Sequence, residues 1–474
     1  MKKNPVPLVL LFALCVLAFF TVEAKSQNVG GPVLAGDTAW MIAATALVLF
    51  MTPGLSFFYG GMVRSGHVVS TMLQSYVCMG IVSVLWVVVA FSLSFGESLG
   101  GVIGNPATYF MFSGVGGATE ALLAPTIPFM IFALFQLKFA VITPALITGA
   151  FAERVNFKAF VLFTALFLVF VYAPLAHWTW HPEGLLRTWG VLDFAGGTVV
   201  HMSAGFAALA GALFLGQRRT FRAESHTPAN IPYIILGTGM LWFGWFGFNA
   251  GSSLGANETA ALAFATTNTA SGSAALAWMA YDLLRGRKPS ALGFCIGAVV
   301  GLVAITPAAG FVTIPASIVI GVVSSIVSHI VVDLKERIGV DDTLDVFACH
   351  GVGGMMGMIF TGIFAKDVGL AFGQTETFFK HMIALVAVAA FAFFASYVLY
   401  RVVNAVIPVR VPAQDEEQGL DFSQHGEGED LTLTTHYALR SDALTEELSV
   451  SSVNEGTAPR NTFPGTTSRS MSML

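Results

Sequence analysis

The sequence predicts an all-α polytopic membrane protein with eleven transmembrane helices, and three observations support this fold class. Of its 474 residues, 55% are hydrophobic and only 11% are charged, whereas an ordinary soluble domain carries roughly 25% charged residues. Eleven uncharged stretches approach the roughly 20 apolar residues that a bilayer span needs. The basic residues between these stretches fall mainly on one side. This composition excludes a soluble enzyme, a nucleic-acid binder and a disordered scaffold.

The first 24 residues have the features of a secretory signal peptide. Lys2 and Lys3 precede an apolar run over residues 6–20, and residues 22–24 (Val-Glu-Ala) offer a small-x-small cleavage site. The run is too short to span a bilayer comfortably. We therefore expect residues 1–24 to be removed and the mature N-terminus to lie outside, with an uncleaved signal anchor as the alternative.

The eleven predicted spans follow from the positions of the charged residues. They lie near residues 38–62, 68–95, 122–151, 159–177, 194–216, 230–250, 259–281, 290–306, 311–333, 346–365 and 381–401. The uncharged stretch 98–119 is predicted to be a loop, because it contains six glycines and the pair Asn105-Pro106.

Basic residues give an independent test of this topology, because cytoplasmic loops carry an excess of lysine and arginine. One side carries thirteen of them: Arg64, Arg154, Lys158, Arg218, Arg219, Arg222, Arg285, Arg287, Lys288, Lys335, Arg337, Arg401 and Arg410. The other side carries Lys25, Arg187, Lys366 and Lys380. The bias predicts a multi-pass protein with its C-terminus in the cytoplasm, and the Met-Lys-Lys start suggests a bacterial inner membrane.

The composition changes after about Asp415, where the sequence becomes acidic and then rich in hydroxyl side chains. Residues 431–474 contain 15 serines and threonines among 44 residues, with few large apolar side chains. Such a segment cannot bury enough apolar surface to fold alone. We therefore predict a membrane domain over 37–406 and a disordered cytoplasmic tail over 431–474.

Two histidines within the predicted spans are the main candidates for function, because ionisable groups in a membrane are costly and usually mark a pathway. His201 follows Asp193 in the fifth span, and His350 follows Asp345 in the tenth. Both lie among small residues that allow close helix packing. Spans five apart have opposite orientations, so the pattern predicts inverted repeats with a site near the midplane.

Other interpretations of these residues stay open. Each histidine could simply bond a neighbouring helix, and Asp193 could cap its helix rather than contact a ligand. Cys349 beside His350 raises the possibility of a metal site, but no third ligand has suitable spacing, so no metal is predicted. Lys138 in the third span is unusual, because it must either snorkel or face an aqueous vestibule.

Several long strings in the predicted spans are distinctive. They are D-T-A-W-M-I-A-A-T-A-L-V-L-F-M-T-P-G in the first span, L-D-F-A-G-G-T-V-V-H ending at His201, G-W-F-G-F-N-A-G-S ending at Ser252 and D-V-F-A-C-H-G-V-G-G around His350. These strings resemble those of the ammonium transporter family (Amt/Mep, with Rh proteins as relatives), and the bacterial Amt type in particular. The resemblance runs from about Asp37 to Asp421. It implies eleven spans, formed by inverted five-helix repeats and a final helix, with one pore per subunit of a homotrimer.

The resemblance also implies roles for individual residues. The family's pore histidines match His201 and His350, and its pair of stacked phenylalanines matches Phe139 and Phe248. The remaining matches are the outer ammonium-binding residues Trp180, Ser252 and Phe135, and the structural aspartates Asp193 and Asp345. The chain departs from many relatives at Lys138, which precedes Phe139, and over residues 181–184, which follow Trp180 where a glycine run is expected.

The resemblance implies a transporter of ammonium or ammonia, with methylammonium as an analogue, and neither enzymatic activity nor a cofactor. Residues 407–430 resemble the family's cytosolic regulatory segment, which implies a PII-type signal protein as a partner. An ammonium sensor that transports little and a Rh-like neutral gas channel are the alternatives. An intramembrane hydrolase is disfavoured, because the spans lack a nucleophile-base pair and an H-E-x-x-H string.

Overall fold

The computed structural model describes residues 5–21, 30–221 and 227–428, and this part of the chain is predominantly helical. The helices are α1 (Val6–Phe20), α2 (Ala35–Met62), α3 (Val68–Phe95), α4 (Phe129–Phe151), α5 (157–180), α6 (Leu185–Trp189), α7 (Gly197–Leu215), α8 (Ile231–Gly251), α9 (Glu258–Leu284), α10 (Ala291–Ile305), α11 (Ile314–Ile338), α12 (Phe347–Phe364), α13 (Glu376–Val406), α14 (Ala413–Gln418) and α15 (Leu420–His425). A two-residue antiparallel hairpin pairs Ser98–Leu99 with Ile103–Gly104.

Nine helices in the described ranges are long and apolar enough to cross a membrane. Two further helices, α9 and α10, correspond to the predicted spans near 259–281 and 290–306; α9 extends beyond its span at both ends. The predicted class of an all-α, multi-pass membrane protein is therefore confirmed. The stretch 98–119, predicted to be a loop, holds the short hairpin and a single 3₁₀ turn.

The third predicted span begins later than the uncharged stretch indicates. It was expected from residue 122, but α4 begins at Phe129, directly after Pro128. Residues 120–124 form an irregular turn in which the Glu120 carboxylate accepts bonds from the amides of Leu122 and Leu123. Pro128 disfavours helical geometry in the residue before it, so the helix does not start before Pro128.

The packing of α7 against α12 positions the two candidate pore histidines. A Cβ atom added to Gly205 on α7 would lie 2.1 Å from the backbone nitrogen of Gly351 on α12. The two backbones can approach this closely only because Gly205 has no side chain. The small residues seen in the sequence thus serve as the contact between the two helices.

The C-terminal segment, residues 407–428, folds back onto the turn between α2 and α3. The carboxylate of Asp421 accepts bonds from the amides of Val69 and Ser70, at 3.0 and 2.7 Å, and so caps the start of α3. The amide of Asp421 also donates to the carbonyl of Gly66 at 3.0 Å. The predicted tail over 431–474 and the predicted cleavage site at 22–24 lie outside the described residues.

Candidate functional site

The two candidate pore histidines occupy matching local structures. His201 lies in a π-helical turn over Gly197–Met202 at the start of α7, and His350 lies in another over Phe347–Val352 at the start of α12. A π-helical turn breaks the regular hydrogen-bond pattern, and such turns are frequent at functional sites. The repeated pattern in the sequence therefore corresponds to a repeated backbone feature.

The structure brings His201 and His350 together. Their Nδ1 atoms are 3.3 Å apart. Both residues are buried, with exposed fractions of 1% for His201 and 3% for His350. The His201 ring also stacks on the indole of Trp245, with 5.3 Å between centroids and 17° between planes. The Nε1 of Trp245 donates to Thr306 Oγ1 at 2.9 Å, which fixes the indole and braces His201 from one side.

The contact between the two Nδ1 atoms constrains their protons. One Nδ1 must carry a hydrogen and donate, while the other must be unprotonated and accept. Two neutral arrangements satisfy this requirement, and they interconvert when the shared hydrogen crosses between the rings while one Nε2 gains a proton and the other loses one. The Nε2 of His201 is buried without a hydrogen-bond partner among the described residues. The pair can therefore exchange a proton and still present a ring nitrogen to a polar molecule.

Asp193 holds the turn that carries His201. Its Oδ1 accepts from the amides of Gly196 and Gly197, and its Oδ2 accepts from the amide and hydroxyl of Thr198, all within 2.8 Å. These amides start a helix and have no partner within it. The negative charge also interacts favourably with the positive end of the helix dipole. Asp193 is thus a helix cap, as one of the two interpretations of the sequence expects.

Asp342, rather than Asp345, makes the equivalent contacts for the helix of His350. Its Oδ1 accepts from the amide of Val346 at 3.1 Å and its Oδ2 accepts from that of Phe347 at 2.8 Å. Asp345 instead forms an ion pair with Lys335 at 2.7 Å and has a φ of 59°. The sequence contained a signal for this assignment, because Asp342 precedes His350 by the same eight positions that separate Asp193 from His201.

Aromatic rings form a continuous line that ends at the histidine pair. Phe139 on α4 and Phe248 on α8 have ring centroids 4.1 Å apart. On one side Phe139 contacts the ring of Trp180 at 5.6 Å, and on the other Phe248 contacts the ring of His201 at 5.9 Å. The two phenylalanines therefore separate Trp180 from the histidines with apolar, close-packed rings.

A cavity of about 530 Å³ lies at the Trp180 end of this line, and we refer to it as the Trp180 cavity. Trp180, Phe139, Asp193 and Ser252 all contribute to its lining. The hydroxyl of Ser252 donates to the carbonyl of Phe248 at 2.8 Å, so its lone pairs remain available to accept a bond. Aromatic faces attract cations, so the cavity combines π-faces with a hydroxyl acceptor.

Three further positions change the predicted set of site residues. Phe135 is fully buried and reaches the site through its contact with Phe139, with 4.9 Å between ring centroids. Gln136 lines the Trp180 cavity although sequence reasoning did not select it. Lys138 is half-buried on α4 and does not line this cavity. The one sequence signal for the role of Gln136 is its adjacency to Phe135.

A second cavity, of about 200 Å³, lies near the other end of the pore helices and contains charged residues. Lys335, Asp342 and Asp345 line it, together with Arg218 and Asp341. The guanidinium of Arg218 binds both carboxylate oxygens of Asp341, at 3.0 and 2.9 Å. Burial raises the pKa of Asp341, but the charges of Arg154 and Arg218 outweigh this effect and lower it.

Comparisons with known proteins agree with the geometry of the site. Residues 39–430 match the Ammonium Transporter Family. The chain is 45% identical to an ammonium transporter of Aquifex aeolicus, over 83% of this chain and 92% of that protein. It is 44% identical to the ammonium transporter Amt1 of Archaeoglobus fulgidus, over 83% of this chain and 98% of that protein.

The fold is also similar to that of a solved relative. The crystal structure of Candida albicans Mep2 superposes with a TM-score of 0.77 and 34% sequence identity, over 83% of this chain and 90% of that one. The region that matches the family, residues 39–430, contains every candidate site residue described above. The sequence similarity to ammonium transporters and the structural similarity to Mep2 together support ammonium transport by this protein. The chain therefore belongs to the ammonium transporter family.

Proposed function

We propose that this protein recruits ammonium at the Trp180 cavity, deprotonates it near Phe139 and Phe248, and conducts ammonia past His201 and His350 into the cytoplasm. The observation that carries the proposal is the unbroken sequence of contacts from Trp180 to His350. The Trp180 cavity is then the outer mouth of the pore, and the cavity lined by Asp345 is the inner mouth.

Recruitment depends on groups that favour a hydrogen-bonding cation. The faces of Trp180 and Phe139 attract positive charge, and Ser252 can accept an N–H bond. A potassium ion has the same charge and a similar size but cannot donate a hydrogen bond. The hydroxyl therefore adds a preference that the aromatic faces alone cannot supply. Phe135 would support Phe139 rather than contact the ion, since it is fully buried.

Deprotonation at the phenylalanine pair removes the main barrier to passage. An unpaired ion in a low-dielectric environment carries a desolvation penalty of about tens of kcal/mol by the Born estimate, before any relaxation. When ammonium gives up a proton, the neutral ammonia that remains can cross the apolar segment at far lower cost. Potassium has no proton to lose, so this route excludes it.

The histidine pair would provide polar contacts for ammonia and a route for the proton. The shared hydrogen between the two Nδ1 atoms, 3.3 Å apart, can move from one ring to the other. When the ring that holds the shared hydrogen accepts a proton at its Nε2, the shared hydrogen crosses to the other ring, whose Nε2 releases a proton, and both rings are again neutral. Each ring must then move its one hydrogen between its own two nitrogens before a further cycle. Ammonia and the proton recombine in the cytoplasm, so transport is electrogenic.

The arrangement in the membrane follows from the sequence and is part of the proposal. We infer eleven spans in inverted five-helix repeats plus a final helix, an external mature N-terminus after removal of residues 1–24, and a cytoplasmic C-terminus at the bacterial inner membrane. The matched Asp193 and Asp342 caps support the repeats. The proposal also includes a homotrimer, a regulatory role for residues 407–430 with a PII-type protein, and a disordered tail over 431–474.

The proposal is tested with purified protein reconstituted in liposomes. An ammonium pulse is applied while current and internal pH are recorded, and a potassium pulse of the same concentration serves as the control. We expect a saturating ammonium current and no potassium current. Ammonia flux without current would instead favour a neutral gas channel, and the absence of any flux would favour a sensor.

A further inference from the structure

His381 on α13 joins two segments that carry the transport site. His381 is fully buried, and both of its ring nitrogens have hydrogen-bond partners. The Nδ1 lies 2.9 Å from the carbonyl oxygen of Met358, about two turns after His350 on α12. The Nε2 lies 3.0 Å from the backbone nitrogen of Leu192, which directly precedes Asp193. One side chain thus connects both pore-helix regions.

The partners of His381 define its protonation. A backbone amide can only donate, so the Nε2 facing Leu192 must be unprotonated. A carbonyl oxygen can only accept, so the Nδ1 facing Met358 must carry the hydrogen. His381 is therefore a neutral imidazole in one fixed tautomer, with no ring nitrogen left for a ligand. It cannot bind ammonium itself, and any effect on transport must pass through its partners.

The segment formed by Leu192 and Asp193 is held from two directions. His381 accepts from the amide of Leu192, while the indole Nε1 of Trp180 donates to the carbonyl of Asp193 at 3.3 Å. The Asp193 carboxylate then caps the turn of His201. A displacement of this segment would therefore move the anchor of Trp180, which lines the Trp180 cavity.

We propose that His381 is a positioning residue for ammonium recruitment, which holds the 192–193 segment so that Trp180 keeps its place in the Trp180 cavity. The inference rests on the proposed function, because recruitment is its readout. Removal of the imidazole leaves the part-buried Leu192 amide and the Met358 carbonyl without these partners. Such groups then shift towards other partners, since an unsatisfied buried donor or acceptor is unfavourable.

The test compares His381→Phe with His381→Gln in methylammonium uptake by proteoliposomes, with rates expressed per folded protein. Phenylalanine keeps a planar ring but makes neither bond, so we expect KM to rise about 3- to 10-fold, the equivalent of one hydrogen bond. Glutamine offers one acceptor and one donor, so we expect a KM between those of His381→Phe and the wild type. His329→Phe is the matched control, since His329 is also buried but bonds Asp282 at the far ends of α9 and α11.

A double-mutant cycle identifies the route of the effect. If His381 acts through Trp180, then His381→Phe should change KM much less in a Trp180→Leu background than in the wild type. A merely structural role would lower the melting temperature and leave KM unchanged. If His381→Phe is not recovered folded, the smaller His381→Leu takes its place.

Two outcomes would overturn the inference while leaving the proposed function intact. One is a wild-type KM in folded His381→Phe, and the other is a KM effect that is fully additive with Trp180→Leu. The failure of the proposed function is a different result, because the wild-type protein itself would then show no saturable uptake.

Discussion

The Nδ1 atoms of His201 and His350 lie 3.3 Å apart, although 149 positions separate the two residues in the chain. This contact requires complementary tautomers, so the two rings behave as one unit that holds a single shared hydrogen. The unit lies in a buried, aromatic environment directly after Phe248. Its geometry suits a neutral polar molecule and a proton better than it suits a metal cation such as potassium.

The close approach of α7 and α12 predicts a strong effect of Gly205→Ala. The added methyl group would lie 2.1 Å from the backbone of Gly351, which cannot yield as a side chain can. We expect a loss of about 1–3 kcal/mol of stability, as for other overpacked cores, and a loss of uptake. Gly272→Ala on α9 is the control, because its added Cβ would meet no atom of another described segment within 4 Å. Equal melting temperatures for the two variants would contradict the prediction.

Ser252→Ala tests the hydroxyl of the Trp180 cavity. The substitution removes an acceptor for an N–H bond, so we expect KM for methylammonium to rise about 3- to 10-fold with little change in maximal rate. Ser325→Ala is the matched control, because the Ser325 hydroxyl also donates to a helix carbonyl, that of Ala274 at 2.8 Å, but lies between α9 and α11. The prediction fails if both variants retain the wild-type KM.

The assignment of the second helix cap to Asp342 predicts that Asp342→Asn is more damaging than Asp345→Asn. An asparagine at position 342 turns its NH₂ group towards one of the two backbone N–H donors, so we expect the free energy of unfolding to fall by about 1–3 kcal/mol. An amide at position 345 still offers an oxygen to Lys335. Melting temperatures in detergent measure the difference, and Asp193→Asn should resemble Asp342→Asn. A larger loss in Asp345→Asn would argue against the assignment.

His67 predicts that acid weakens the contact between the C-terminal segment and the turn after α2. Its Nδ1 accepts from the amide of Leu420 at 3.3 Å, so the contact needs a neutral ring. Burial lowers the pKa of His67 from 6.5 to about 4. The stabilisation of this contact is therefore complete above pH 6.5 and is lost as the pH falls from 6.5 through about 4. The reason is that the released ring, with a pKa of 6.5, gains a proton at a higher pH than the bound ring does.

Hydrogen exchange of residues 413–425 at pH 7.5 and pH 5 measures this effect after correction for intrinsic rates. We expect weaker protection at pH 5 in the wild type. His67→Gln keeps an acceptor that does not titrate, so the change in protection should be smaller. Asp421 and His425 also bond the start of α3, so their titration accounts for the pH-dependent change in protection that remains in His67→Gln. An identical change in both proteins would rule out His67 as a source of the pH dependence.

Much of the fold could be predicted because charge and hydropathy decide which segments enter a membrane. The start of α4 was missed because the turn at Glu120 and Pro128 depends on local bonds rather than on hydropathy. By contrast, the repeated histidine pattern in the sequence does indicate a pair. Hydropathy could not decide between Asp342 and Asp345, since both lie outside the apolar run; the spacing of eight residues to the histidine favours Asp342, and the backbone contacts bear this out.

His381 could not be recognised from the sequence for a different reason. It is a single histidine in the last span, and its partners Leu192 and Met358 lie 189 and 23 positions away in the chain. A lone histidine on an apolar helix carries no information about such partners. Tertiary contacts of this kind become visible only when the helices are placed in space.

The most direct test of the central claim is the current of the double variant His201→Ala/His350→Ala in reconstituted membranes. Ammonium and potassium pulses are compared with those of the wild type and of His329→Ala, whose imidazole lies outside the pore. The account predicts that the double variant loses the ammonium current or gains a potassium current. An ammonium current of wild-type size, still without a potassium current, would contradict it.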